Sequence, residues 1–138
     1  PIGVCLASGE AAEVMQPGTH GSTFGGNPLS CATALTVLQE VEVNNLVERA
    51  AELGNRMMEQ FRARLEGLNI VKEIRGKGLM IGIELDSPCG ELVARAFDKG
   101  LLINVTAEKV VRLLPHLTTT DEEANQIVDI VSELIETV

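Results

Sequence analysis

The densest run of chemistry-bearing residues is His20-Gly21-Ser22-Thr23-Phe24-Gly25-Gly26-Asn27-Pro28. Its glycines let a backbone come close to a ligand, Ser22 and Thr23 offer hydroxyl donors, and Asn27-Pro28 opens a helix with free N–H groups. Such a set is suited to a phosphate or a carboxylate. An ordinary glycine-rich loop leading into a capped helix has the same composition, so the pattern alone leaves both readings open. It matches neither the P-loop nor the dinucleotide fingerprint. Arg112 is the second candidate, because on a strand it shares a face with Val110 and Leu114, where a guanidinium requires an anion. That anion is either a carboxylate ligand or a glutamate at the sheet edge. His20 and His116 are far apart and lack a third partner, so neither a metal site nor a catalytic dyad is expected. Cys31 is expected to be a small buried residue, Asp121-Glu122-Glu123 to complement a helix dipole, and Met57-Met58 to belong to the core.

These candidates must be positioned by regular elements. Residues 1–7 read as a strand entered from a turn. A helix begins at Pro28, with Leu29, Ala32, Leu35, Val37, Leu38 and Val41 at mostly helical spacing. Asn45 with Glu48 predicts a capping box for a second helix, whose seam is Leu46, Ala50, Leu53, Met57, Phe61 and Leu65 and whose stop is Gly67. Strands follow over 70–75 and 79–85, joined by Gly76-Lys77-Gly78. Leu79, Ile81, Ile83 and Leu85 share one face, while Gly82 on the other suggests a close approach to the backbone. A short helix over 88–99, closed by Gly100, is expected to bury Leu92, Val93, Ala96 and Phe97. Two more strands, 101–105 and 110–114, flank a polar connection. The last helix opens with a Thr120/Glu123 capping box and turns Ile127, Val128, Val131, Leu134, Ile135 and Val138 inward. This order predicts an α+β fold, a small antiparallel sheet with helices packed on one face.

Composition narrows the function classes. The chain has 138 residues, 45% hydrophobic, with 11 basic against 20 acidic side chains and three Phe as its whole aromatic content. That length fits one domain, or a small domain plus a piece of another. Apolar runs fall far short of the ~18 residues a bilayer crossing needs. The net charge of −9 and the absence of Trp and Tyr argue against nucleic acid as a partner. Cys5, Cys31 and Cys89 are an odd set without CxxC spacing, which points to a reduced, cytoplasmic setting. The chain opens at Pro1 without a charged n-region, so a cut from a longer protein is expected rather than a signal peptide.

The run from His20 to Leu29 closely resembles the segment that follows the cofactor lysine in class III, fold-type I aminotransferases, which use pyridoxal 5′-phosphate. Among these it is most similar to the acetylornithine branch. Arg75-Gly76-Lys77-Gly78-Leu79-Met80-Ile81-Gly82-Ile83-Glu84-Leu85 and Val110-Val111-Arg112-Leu113-Leu114-Pro115 agree with the family in order and spacing. The resemblance implies that residues 1–27 are the terminal edge of the large cofactor domain with its phosphate loop, 28–43 a linking helix, and 44–138 the small C-terminal α+β domain. It implies that Thr23 bonds the cofactor phosphate, reaching the neighbouring active site of a homodimer. Ser22 would contact the acylated substrate, and Arg112 would take the α-carboxylate of the amino or keto acid. His116 departs from the family, which usually has a second proline there. The family's Schiff-base lysine falls upstream of Pro1, and none of Lys72, Lys77, Lys99 and Lys109 replaces it. The chain alone is therefore expected to hold no catalytic residue and to be inactive. The parent would be a cytoplasmic transaminase of arginine biosynthesis, moving an amino group between N-acetylornithine and 2-oxoglutarate. Its partners would be small amino and keto acids, with no metal, nucleic acid or membrane. The alternatives are another class III ω-aminotransferase, acting on ornithine, succinylornithine or 4-aminobutyrate, and a non-catalytic ligand-binding regulatory module.

Overall fold

The computed structural model describes residues 2–138. They form two compact units, one ending at Asn44 and one beginning at Asn45.

The first unit contains α1 (Glu10–Val14) and α2 (Pro28–Val43). Asn27 starts α2 as its sequence suggests: it is extended, at φ −64° and ψ 150°, and its Oδ1 accepts from Ser30 N at 3.0 Å while Pro28 occupies the first turn. No residue of α2 is buried, and Leu29, Leu35, Val37, Leu38 and Val43 are all exposed. The strand expected over 1–7 begins on Pro1, which lies outside the described residues, and residues 2–7 have no regular structure. A strand needs a ladder partner for its backbone groups, and none pairs with this segment among the described residues.

The second unit runs α3 (Leu46–Arg64), β1 (Val71–Lys77), β2 (Met80–Leu85), α4 (Leu92–Asp98), β3 (Asn104–Thr106), β4 (Val110–Leu113) and α5 (Asp121–Ile135). The strands form one antiparallel sheet in the order β1-β2-β4-β3, so the second strands of the two hairpins meet at its centre. Ile81, Ile83 and Leu85 of β2 and Val111 and Leu113 of β4 point to the same side. There they pack with Leu53, Met57 and Phe61 of α3, Leu92 and Ala96 of α4, and Val128, Val131, Leu134 and Ile135 of α5. Each of these side chains other than Ala96 contributes roughly 1.5–3 kcal/mol by leaving water. The opposite side of the sheet is open and carries the charged residues of β1, β2 and β4.

Several local expectations shift. Asn45 has left-handed backbone angles, φ 49° and ψ 41°, and makes no side-chain cap, so no capping box forms with Glu48. Asparagine tolerates that conformation, but it aims the side chain away from the helix N–H groups. Lys77 pairs with Met80, which makes Gly78-Leu79 the hairpin turn, and Gly76 stays in the ladder opposite Ile81. Gly78 is the turn glycine, with φ +54°. Its carbonyl lies so near α3 that a Cβ on Gly54 would sit 1.9 Å from Gly78 O. Helix and turn thus touch backbone to backbone.

In α4 only Leu92 and Ala96 are buried, and Phe97 is 67% exposed. A seven-residue helix presents one narrow stripe, and Phe97 lies beside it. Leu101 is drawn into the end of α4 rather than into a strand. Its N–H donates to Ala96 O at 2.9 Å and that of Gly100 to Phe97 O at 2.9 Å, with Gly100 at φ +79°. This is a Schellman closure, and it delays β3 to Asn104. The Thr120 box does form: Thr120 Oγ1 accepts from Glu123 N at 3.2 Å, and Glu123 Oε2 accepts from Thr120 N at 2.8 Å. Asp121 beside it accepts from both Arg56 and Arg49 of α3, which lowers its carboxyl to about 2. Val138 at the chain end is exposed rather than inward.

Candidate functional site

In the first unit, the chain between His20 and Asn27 folds as a series of bends closed onto the start of α2. Asn27 Nδ2 donates to Phe24 O at 2.8 Å and to Ser30 Oγ at 3.0 Å, which ties the loop to the helix it caps. Ser22 Oγ accepts from Gly25 N at 3.1 Å. A Cβ on Gly25 would lie 3.0 Å from Ser22 Cβ, so a side chain there would press on Ser22 and push it back by a few tenths of an ångström. Ser22 is therefore partly used in holding the loop, though its O–H remains a donor. Thr23, exposed next to it, has no hydrogen-bond partner among the described residues. A hydroxyl without a partner among the described residues, beside glycine backbone, suits one oxygen of a phosphate. The four lysines all belong to the second unit. Lys99 pairs with Glu133 at 2.8 Å, Lys109 donates to Asp86 O at 2.7 Å, and Lys72 to Asn69 O at 3.2 Å.

In the second unit, Arg112 stands in the middle of β4, exposed on the open side of the sheet, with Gly82 opposite it on β2 and Asn104 on β3. Alternation explains the placement: Val111 and Leu113 point into the core, so Val110, Arg112 and Leu114 point out. Among the described residues Arg112 forms no ion pair. The glutamates of this face are held by another residue. Arg75 Nη1 contacts Glu84 Oε2 at 2.6 Å and Glu73 Oε2 at 2.6 Å, and these two carboxylates, Glu84 foremost, raise the guanidinium above its ordinary pKa. Around Arg112 the face forms an open cleft of about 460 Å³, whose lining includes Arg75, Lys77, Gly82, Thr106 and Val110. Its base is glycine and its rim is cationic, an arrangement that favours an anion.

Ser22 and Thr23 thus share one loop, and Arg112 stands in the other unit. His116 belongs to the link between β4 and α5, where its carbonyl accepts from Thr119 Oγ1 at 2.7 Å and its Nδ1 lies 3.0 Å from Thr118 Oγ1. Cys31 is partly buried, and Cys89 is buried, with its thiol pushed up by desolvation and then by Glu91. Among the described residues no group of three metal-ligating side chains converges, and no helix is long and apolar enough to cross a membrane. The Arg75–Glu84 pair escaped the sequence reading. Its signal was an arginine and a glutamate of one hairpin that a single register places on the same face.

Residues 1–135 match the family model for class-III aminotransferases, a family that depends on pyridoxal phosphate. The chain is 56% identical over 135 residues to the acetylornithine aminotransferase of Nitrosomonas europaea, covering 98% of this chain and 34% of that protein. It is 44% identical to the acetylornithine aminotransferase of Methanothermobacter thermautotrophicus, covering 98% and 35%. Among solved structures, the acetylornithine aminotransferase of Elizabethkingia anophelis superposes with TM-score 0.78 at 35% identity, over 93% of this chain and 35% of that one. The ornithine aminotransferase of Toxoplasma gondii does so with TM-score 0.83 at 37% identity, over 92% and 31%. The chain spans about a third of the length of the relatives it matches. With a match that runs nearly end to end and the same α+β architecture in solved members, the chain belongs to the class-III aminotransferase family.

Proposed function

We propose that this chain is the C-terminal part of a pyridoxal-phosphate-dependent aminotransferase that exchanges an amino group between N-acetylornithine and 2-oxoglutarate. The enzyme would serve arginine biosynthesis as a cytoplasmic homodimer. The observation that carries this reading is Arg112, a guanidinium without an ion-pair partner among the described residues, in a cationic, glycine-floored cleft. A planar fork there matches the α-carboxylate shared by the amino and keto acids and orients the rest of the substrate from it. Thr23 would donate its hydroxyl to the cofactor phosphate in the neighbouring subunit's site, and Ser22, still a donor, would meet the acyl group of the substrate. The cofactor, when bound, supplies the electron sink for moving the amino group. The lysine that carries it would come from outside this chain, leaving the chain alone inactive. In this reading residues 1–27 edge the large domain, 28–43 link, and 44–138 form the small domain. The acetylornithine relatives support the choice of amine.

Replacing Arg112 by Lys in the complete enzyme tests the clamp. KM for glutamate and 2-oxoglutarate should rise at least ten-fold, because a point charge cannot reproduce bidentate geometry. An equal loss for amines that carry no carboxylate would remove the assignment.

A further inference from the structure

Among the described residues Arg112 makes no ion pair, although the neighbouring strand offers it a carboxylate. The register sets Arg75, Gly82 and Arg112 in one row across β1, β2 and β4, and sets Glu84 opposite Val110. Glu84 is therefore diagonal to Arg112 on the same open face. Such diagonal neighbours lie about 7–8 Å apart and are bridged by long side chains. Yet Glu84 Oε2 lies 2.6 Å from Arg75 Nη1, and the same nitrogen holds Glu73, one strand further from Arg112, at 2.6 Å. Gly82 keeps the space between the two arginines open. A Cβ there would fill part of that space, in ordinary contact with Val110 Cγ1 at 3.4 Å and Arg75 Cγ at 3.9 Å.

We propose that Arg75 is a positioning residue that ties Glu84 to the β1 side of the open face and so keeps Arg112 available for the carboxylate of the substrate. This rests on the reading of Arg112 as the carboxylate clamp. Without Arg75, Glu84 turns to Arg112 and competes with substrate as a tethered anion. Exposed pairs are individually weak, but a carboxylate on the adjoining strand acts at an effective concentration of about millimolar or above, comparable with a free substrate. The competition acts on binding and leaves the chemical step alone.

The test uses the complete enzyme with Arg75→Met, Arg75→Met/Glu84→Gln and Arg112→Gln, reading KM for 2-oxoglutarate and kcat separately. Arg75→Met should raise KM about ten-fold and hold kcat within about two-fold. Adding Glu84→Gln should bring KM back to within about two-fold of the parent. A rescue of this kind cannot come from a merely structural loss, since the second change deepens any structural damage. Arg75→Gln, read the same way with and without Glu84→Gln, serves if the Met variant does not fold. An unchanged KM in the single variant, or no recovery in the double, overturns the inference while a raised KM in Arg112→Gln leaves the clamp standing. An unchanged KM in Arg112→Gln overturns the clamp and the inference together.

Discussion

Ser22 and Thr23 are adjacent and chemically alike, but the loop uses them differently. Ser22 Oγ closes the turn onto Gly25 N at 3.1 Å, whereas Thr23 is left without a partner among the described residues. Losing the Thr23 hydroxyl should therefore cost little in the fold and more in binding. Thr23→Val in the complete enzyme is expected to weaken retention of pyridoxal phosphate by about 1.5–3 kcal/mol, the worth of a hydrogen bond to a charged group. That is roughly ten- to a hundred-fold in Kd, read by equilibrium dialysis. Unchanged retention would remove Thr23 from the phosphate site. The identity of these residues was legible in the sequence, because Gly, Ser and Thr before an Asn-Pro helix start limit what the loop can do. The open state of Arg112 was not. It depends on Arg75 capturing Glu84 across a hairpin, which only the register reveals.

Regular elements were legible where one face is buried and the pattern has a single solution. The seam of α3 and the alternation in β2 both came out as read, since every one of Leu53, Met57, Phe61, Ile81, Ile83 and Leu85 is in the core. Boundaries moved where backbone geometry decided them: Asn45 in the left-handed region, the turn at Gly78 rather than across Gly76, and Leu101 taken by the Schellman closure of α4. The contact between Gly54 and Gly78 could not be read from spacing, since a mid-helix glycine has no periodic signal. It makes a direct prediction. Gly54→Ala places a methyl 1.9 Å from Gly78 O, and should destabilise the second unit by about 1–3 kcal/mol or more, although alanine is the better helix former. Urea unfolding measures it, and a neutral or stabilising result would show that helix and hairpin separate without cost.

At the level of the molecule, the two units carry different parts of the chemistry proposed here, a phosphate-contacting loop in one and a carboxylate clamp in the other. Both lie within residues 1–135, which match the class-III aminotransferase family, while the chain spans about a third of its relatives. The proposed activity toward N-acetylornithine can be measured outright. The direct measurement is kcat/KM of the complete enzyme for N-acetylornithine, ornithine and 4-aminobutyrate, each with 2-oxoglutarate as acceptor. Amino transfer is expected from all that bind, with N-acetylornithine preferred by at least ten-fold. Absence of transfer from N-acetylornithine, or a preference for ornithine or 4-aminobutyrate, would contradict it.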